Sequence, residues 1–461
     1  MDIIIKIILL IGIKNEIRIP FKTKLFSSTP SKISSEKEIK QYILNLIHND
    51  IYIELSIGFP NPQKIESFLK FDEYPFFIKG KNFNTSKYNE SKSESFKSDL
   101  KYYSFMDGEE QIKSGYLSND TIIVNDKNTV KEFSFILVKE SKIESPSNIG
   151  LMIPSAYTSI RDINFITQLK KLGFIQYYSF MINYTSSEKG EGEFIMGGPP
   201  HFFDKKYNKN YYKTEYAINK PRNMIYGLKF DSINYGNIDV NGKMEGKFLC
   251  DFGLIAGSTG FYKIINESFF EDKIKNNICF VNNIRYNLEW REGENNFEYF
   301  YCIMDKIDIK EFNNLKFVQK NLNFTFEFNY KDLFHEIDNY YIFKIIFHKY
   351  SNFYWIFGKP WLEKNLMIFD QDTKTIGNYY YIQYNNDDII PNTNNDNSNM
   401  VFIIVIVILV IILIAFIGWL IYIFKKNDRK KRLNEINEEF DYNQENEKEE
   451  NLTNDKLGLN K

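Results

Sequence analysis

The stretch IYIELSIGFPNPQKIESFLKFDEYPFFI, from Ile51 to Ile78, decides how the rest of the chain is read. Ile51 to Ile57 alternates apolar and polar residues, the pattern of a half-buried strand. Gly58, Pro60 and Pro62 interrupt it with a turn. A second apolar run follows from Ile65 to Phe71, so the segment reads as strand, turn and returning strand.

This opening resembles the first active-site segment of the pepsin-like aspartic proteases, which runs strand, I-G-x-P, Gln, return strand, D-T-G-S and an apolar run with a Trp. Gln63 and the pair Phe76–Phe77 fit that frame from both sides. The family's catalytic Asp lies seven residues after the Gln and seven before the Trp, and both counts arrive at Lys70. D-T-G-S has become Lys70-Phe71-Asp72-Glu73.

Further motifs follow in the family's order. Phe105-Met-Asp-Gly108 stands at the flap, with Phe105 in place of its Tyr and Glu109 where a small residue is usual. Gly115 to Thr121 is similar to the flap's return strand, and Ser147 to Pro154 resembles the segment threaded behind the first active loop. Apolar positions 165, 166, 169 and 172 space as a helix. Gly192 to Gly198 resembles the hairpin leading to the second lobe, with no P-loop Lys after it. Phe248-Leu-Cys-Asp251-Phe-Gly253 stands at the second active motif, with two residues taken as deleted before Gly257. Trp355 to Gly377 matches the family's closing segment without a gap.

The resemblance implies a mainly β, bilobal fold with a central cleft, over residues 51–382. Its boundaries are 51–222 for the first lobe and 223–382 for the second. Residues 14–50 form a lead-in, and two readings of it stay open. EIRIPFKTKL, from Glu16, resembles a protease prosegment; a plain linker ending in a helix near Glu36 to Ile47 fits equally. The resemblance also implies a Cys279–Cys302 disulfide in the second lobe, leaving Cys250 a buried free thiol.

Acid proteolysis needs two carboxylates sharing one proton. A Lys at 70 would instead fix Asp251 in an ion pair, which points to an inactive, peptide- or protein-binding relative. Asp72 and Glu73 are expected as solvent-facing turn residues. The rival reading brings Asp72, two residues on and on the same strand face as 70, up to Asp251 as an active pair.

Composition sets outer limits. With 461 residues and 43% hydrophobic content the chain fills a large core, and 17% aromatic residues favour strands. A net charge of −2 argues against nucleic acid as a partner. No C-x-x-C and only four scattered His leave no metal spacing, and no cofactor is expected. A monomer is expected.

Met400 to Phe424 carries no charge and is long enough to cross a bilayer as one helix. KKNDRKKR, from Lys425, places the following tail in the cytosol. The chain is therefore expected as a single-pass type I protein of the secretory pathway, vacuole or lysosome, or cell surface. Residues 1–13 would be a minimal signal peptide, 383–399 an Asn/Asp-rich stalk and 425–461 a charged cytosolic tail. Six sequons precede the span, at Asn84, Asn89, Asn119, Asn183, Asn266 and Asn323, and agree with secretion.

Overall fold

A computed structural model describes residues 16–24, 33, 35–73, 75–81, 83, 88–107, 111–141, 147–153, 163–186, 189–219, 224–286, 295–349, 354–379, 422–423 and 425–427. Residues 1–383 form one compact unit and 384–461 another. Among the described residues no helix is long and apolar enough to cross a membrane. The expected span at 400–424 lies outside them except for Tyr422 and Ile423, as do the signal peptide, the stalk, Asn84 and Glu109.

Ten strands organise the first half of the larger unit: β1 (Ile17–Lys24), β2 (Asp50–Ile57), β3 (Gln63–Lys70), β4 (Phe76–Lys79), β5 (Lys97–Asp107), β6 (Gln111–Asn125), β7 (Asn128–Ser141), β8 (Ser147–Gly150), β9 (Ser179–Ser186) and β10 (Glu191–Met196). They belong to a 13-stranded sheet that runs β9, β10, β1, β2, β3, β8, β4, β7, β6, β5, with β2 also pairing β6. Tyr212–Tyr216, Thr375–Tyr379 and Ile368–Asp370 complete it beyond β9. The last two strands thus come from the closing segment of the second lobe.

Alternation dictates these strands. Ile17, Ile19 and Phe21 of β1 and Ile51, Ile53, Leu55 and Ile57 of β2 all point into the core, while their neighbours face outward. β1 pairs antiparallel with both β10 and β2, so the start of the lead-in is an interior strand. The helix α1 (Glu36–Ile47) begins at a capping box: Ser35 Oγ accepts from Glu38 N, and the Glu38 carboxylate accepts from Ser35 N. Its buried Ile39, Tyr42, Ile43 and Ile47 recur at helical spacing and pack on Leu249, Phe252, Leu254 and Ala256 of the second lobe. The helix expected in the lead-in is present, and the prosegment-like stretch from Glu16 holds β1. The helix α2 (Phe165–Lys171), capped by Asn164, stops one residue short of the expected Leu172.

The second lobe carries an 11-stranded sheet. Its strands Cys279–Tyr286 and Asn295–Ile303 pair with Cys279 opposite Cys302, and the two are disulfide-bonded at a Cα separation of 4.0 Å. Cys250 is a buried free thiol. The lobe's core is an aromatic cluster in which Phe317, Phe357 and Phe230 all contact Trp361 edge-to-face or tilted.

Candidate functional site

Each lobe builds its active loop in the same way. In the first, β3 pairs parallel with β8 while β4 pairs antiparallel with the same strand, so Leu69 and Phe76 both face Ile149. In the second, Ile238–Phe248 pairs parallel with Tyr354–Phe357, and Ile255–Gly257 pairs antiparallel with it, so Phe248 and Ile255 both face Phe357. Gly150 N donates to Pro75 O at 3.2 Å, and Gly358 N donates to Leu254 O at 3.1 Å. Only a glycine fits this threading at 358, where a Cβ would lie 1.9 Å from Phe252 O.

These anchors correct one part of the sequence reading. Seven positions lead from Leu69 to Phe76, and seven from Phe248 to Ile255, so the two loops are of equal length. Laid over each other from both flanks, Lys70 corresponds to Leu249 and Phe71 to Cys250. The counterpart of Asp251 is Asp72. The two acids therefore occupy matching places, and Asp72 lies two residues beyond Lys70, the position reached by counting from Gln63 and Phe77.

The first loop does hold Lys70 against the second. Lys70 Nζ lies 2.7 Å from Asp251 Oδ2 and 3.4 Å from Asp50 Oδ1. Lys70 is only 12% exposed and both carboxylates 16%, so little solvent screens the group. The β2–β3 ladder explains Asp50: pairing ends at Tyr52↔Phe68, and the next residues on that face are Asp50 and Lys70. Sequence reasoning missed Asp50, although counting the same ladder outward from Ile57↔Gln63 reaches it.

Backbone and thiol contacts fix the second loop. Cys250 Sγ donates to Leu69 O at 3.1 Å across the lobes. Asn49 N donates to Asp251 O at 3.0 Å, and Gly253 N donates to Ile47 O at 2.8 Å. A Cβ at Gly253 would stand 1.8 Å from Leu46 O, so the end of α1 presses directly on this loop.

Asp72 and Glu73 are not the solvent-facing turn expected from sequence. The loop folds inward to receive the β8 segment, with Met152 N donating to Glu73 O at 2.9 Å. Glu73 is buried, and its two carboxylate oxygens accept from Asn148 Nδ2 at 2.8 Å each. Asp72 Oδ1 and Asp251 Oδ1 are both buried without a hydrogen-bond partner among the described residues. Burial, aided by the Asp251 and Glu73 charges, raises the Asp72 carboxyl above the ordinary carboxylate value, against the opposing pull of Lys247 and Lys70.

The flap hairpin is formed by β5 and β6, with Phe105 opposite Lys113. Of the described sequon residues, Asn323 is exposed, while Asn89, Asn119, Asn183 and Asn266 are half-buried.

Loops threaded alike in the two halves, the hairpin of β5 and β6 and acids at matching places in both loops form one constellation. No curated protein matches the chain. The model of the eukaryotic aspartyl protease family matches residues 78–378, more than half of the chain, beginning just beyond the altered first loop. The chain belongs to the eukaryotic aspartyl protease family.

Proposed function

We propose that the protein is a pepsin-like pseudoenzyme that binds a peptide or an extended protein segment between its lobes without cleaving it. The observation that carries this reading is the 2.7 Å contact between Lys70 Nζ and Asp251 Oδ2. Peptide hydrolysis by this family requires one carboxylate to take a proton from water while its partner delivers one to the carbonyl. An ammonium lying against Asp251 ties that carboxylate into an ion pair instead of leaving it to share a proton with a partner acid. The orienting hydroxyls are missing as well, since Glu73 and Phe252 follow Asp72 and Asp251.

A second reading has its own support. Asp72 and Asp251 occupy matching places in the two lobes, and Asp72 is pushed toward its protonated form beside Asp251. An acid–carboxylate pair of that kind is what hydrolysis needs, provided Lys70 swings aside.

Incubating the purified unit with denatured globin between about pH 3 and 7, the range over which carboxylates titrate, separates the two. The binding reading expects no cleavage, and Lys70→Asp alone restores none. Cleavage abolished by Asp72→Asn would replace it with the second.

The protein is further proposed to be anchored by residues 400–424 with the lobes lumenal or extracellular. Support comes from the uncharged run and the basic cluster after it. Protease added to sealed microsomal vesicles, whose outer face is cytosolic, should remove the C-terminal tail and spare the lobes; a protected, lumenal tail would reverse the orientation.

A further inference from the structure

We propose that the aromatic and lysine-rich segment 201–216 forms a lipid-binding face, which seats the lobes on the phospholipid headgroups of the bilayer that carries residues 400–424. The inference rests on the anchoring reading above. It does not depend on whether the cleft cleaves a peptide or only binds one.

The composition of the segment points to this partner. Residues 201–216 read HFFDKKYNKNYYKTEY, with two Phe, four Tyr and four Lys against one Asp and one Glu, and no Ala, Val, Ile, Leu or Met. Flat amphipathic rings settle at the headgroup level of a bilayer, and lysine stems reach from there to the phosphates. A protein partner is the poorer fit, because protein–protein interfaces are depleted of lysine.

The fold gathers the rings on one side. The strand Tyr212–Tyr216 is the outer edge of the 13-stranded sheet and pairs antiparallel with Thr375–Tyr379, placing Tyr212 opposite Tyr379. Alternation sends Tyr212, Thr214 and Tyr216 to the side that Tyr379 faces. Residues 201–207 cover that side. The rings of Tyr207 and Tyr212 each lie 5.1 Å from Tyr379, His201 Nδ1 lies 2.7 Å from Tyr379 OH, and Tyr177 stacks on Phe202 at 5.0 Å. Tyr216 is 74% exposed, and Thr214, Lys205, Lys206 and Lys209 are exposed as well. Those three lysines outnumber Asp204, the only acid in the sequence between 201 and 214. Lys213 alternates to the other side and adds nothing to this face.

The course of the chain commits the face to a membrane. Tyr379, the last residue of its strand, is buried beneath these rings, so the chain leaves the sheet from under the face itself. Twenty residues, 380–399, then lead to Met400, and fully extended they reach no more than about 70 Å. A tether of that length keeps the face at a high effective concentration against its own bilayer, so weak contacts suffice. Phosphates supply the charge complementary to the lysines, and anionic lipid adds to it.

The test uses the full chain reconstituted in phosphatidylcholine vesicles, with and without phosphatidylserine. A spin label is placed on Thr214→Cys; Cys250 is buried and the other two cysteines are bonded, so the label has one target. Its collisions with a water-soluble nickel complex should be severalfold fewer than those of a label on Lys97→Cys, an exposed site on β5 at the opposite edge of the sheet. Phosphatidylserine should widen the difference. High salt should cancel that gain, as the screening length shortens from about 10 Å to about 3 Å. Combining Lys205→Glu, Lys206→Glu and Lys209→Glu should abolish it too. Equal collision rates at the two sites overturn the proposal, as does a phosphatidylserine gain that survives the triple substitution. Spin–spin coupling between Thr214 labels would mean that the strand edge pairs with a second copy, and overturns it as well. Should the triple variant not fold, salt decides with the native lysines: a gain that persists in high salt sinks the proposal. Alkaline extraction separates this failure from that of the anchor. A chain stripped from the vesicles overturns the anchor and the face together, whereas a retained chain with equally accessible labels overturns the face alone.

Discussion

Lys70 lies between Asp251 and Asp50 in a cleft floor that is largely closed to solvent. Removing one member of such a group leaves the remaining charges uncompensated, which costs about 3–5 kcal/mol. Lys70→Met should therefore lower the denaturant-derived stability by about that amount at neutral pH. A loss of less than about 1 kcal/mol, the range of exposed ion pairs, would show that solvent screens the group. Asp72 behaves in the opposite sense. Its raised carboxyl binds a proton more tightly in the folded state, so its contribution is complete below the ordinary carboxylate value and is lost as pH rises from there through the raised folded-state value. Asp72→Asn should accordingly raise the melting temperature at neutral pH and leave it unchanged at acid pH. A lowered melting temperature at neutral pH would contradict the buried, raised carboxyl described above. Lys70 was legible in the sequence because Gln63 and Phe77 bracket it by fixed counts. Asp72 was not, because its place depends on Ile149 and Phe357, which reach the two loops from distant parts of the chain.

At the scale of elements, period and punctuation carried most of the reading. The spacing near Glu36 to Ile47 gave α1, and the alternation from Ile51 gave β2, off by one residue at Asp50. What spacing could not express is contact. The Leu46 and Ile47 carbonyls meeting Gly253 make α1 part of the second active loop, and no local pattern announces that. The Cys279–Cys302 bond joins neighbouring strands and closes a loop whose cross-link contributes about 3 kcal/mol by chain entropy. Replacing both cysteines with serine should reduce stability by about that much, read by chemical denaturation with and without reductant. A wild-type protein insensitive to reductant, with no loss in the double variant, would show that the hairpin holds itself.

On the scale of the molecule, surface position sorts the sequons. Asn323 is exposed at a positive φ of 50° between paired strands, whereas Asn119 Oδ1 and Asn266 Oδ1 are buried. The exposed Asn323 is the most accessible acceptor of the three. Secreted from a eukaryotic host, the protein should lose one glycan's mass on Asn323→Gln with its melting temperature unchanged, and Asn119→Gln should leave the mass unaltered. A glycan on Asn119 of the folded protein would refute this assignment. The bilobal plan itself was legible from motif order. The shared sheet was less so, since Ile368–Asp370 belongs by sequence to the second lobe yet pairs with β9. That pairing has a consequence for biosynthesis. Met181 leaves the ribosome well before its partner Ile368, and at roughly 5–20 residues per second the intervening chain takes on the order of ten to forty seconds to make. Throughout that interval β9 presents one bare row of amides and carbonyls to any passing strand. The nascent first lobe is thus most exposed to aggregation while the second is still being translated, and a chaperone that shields strand edges would act in that window.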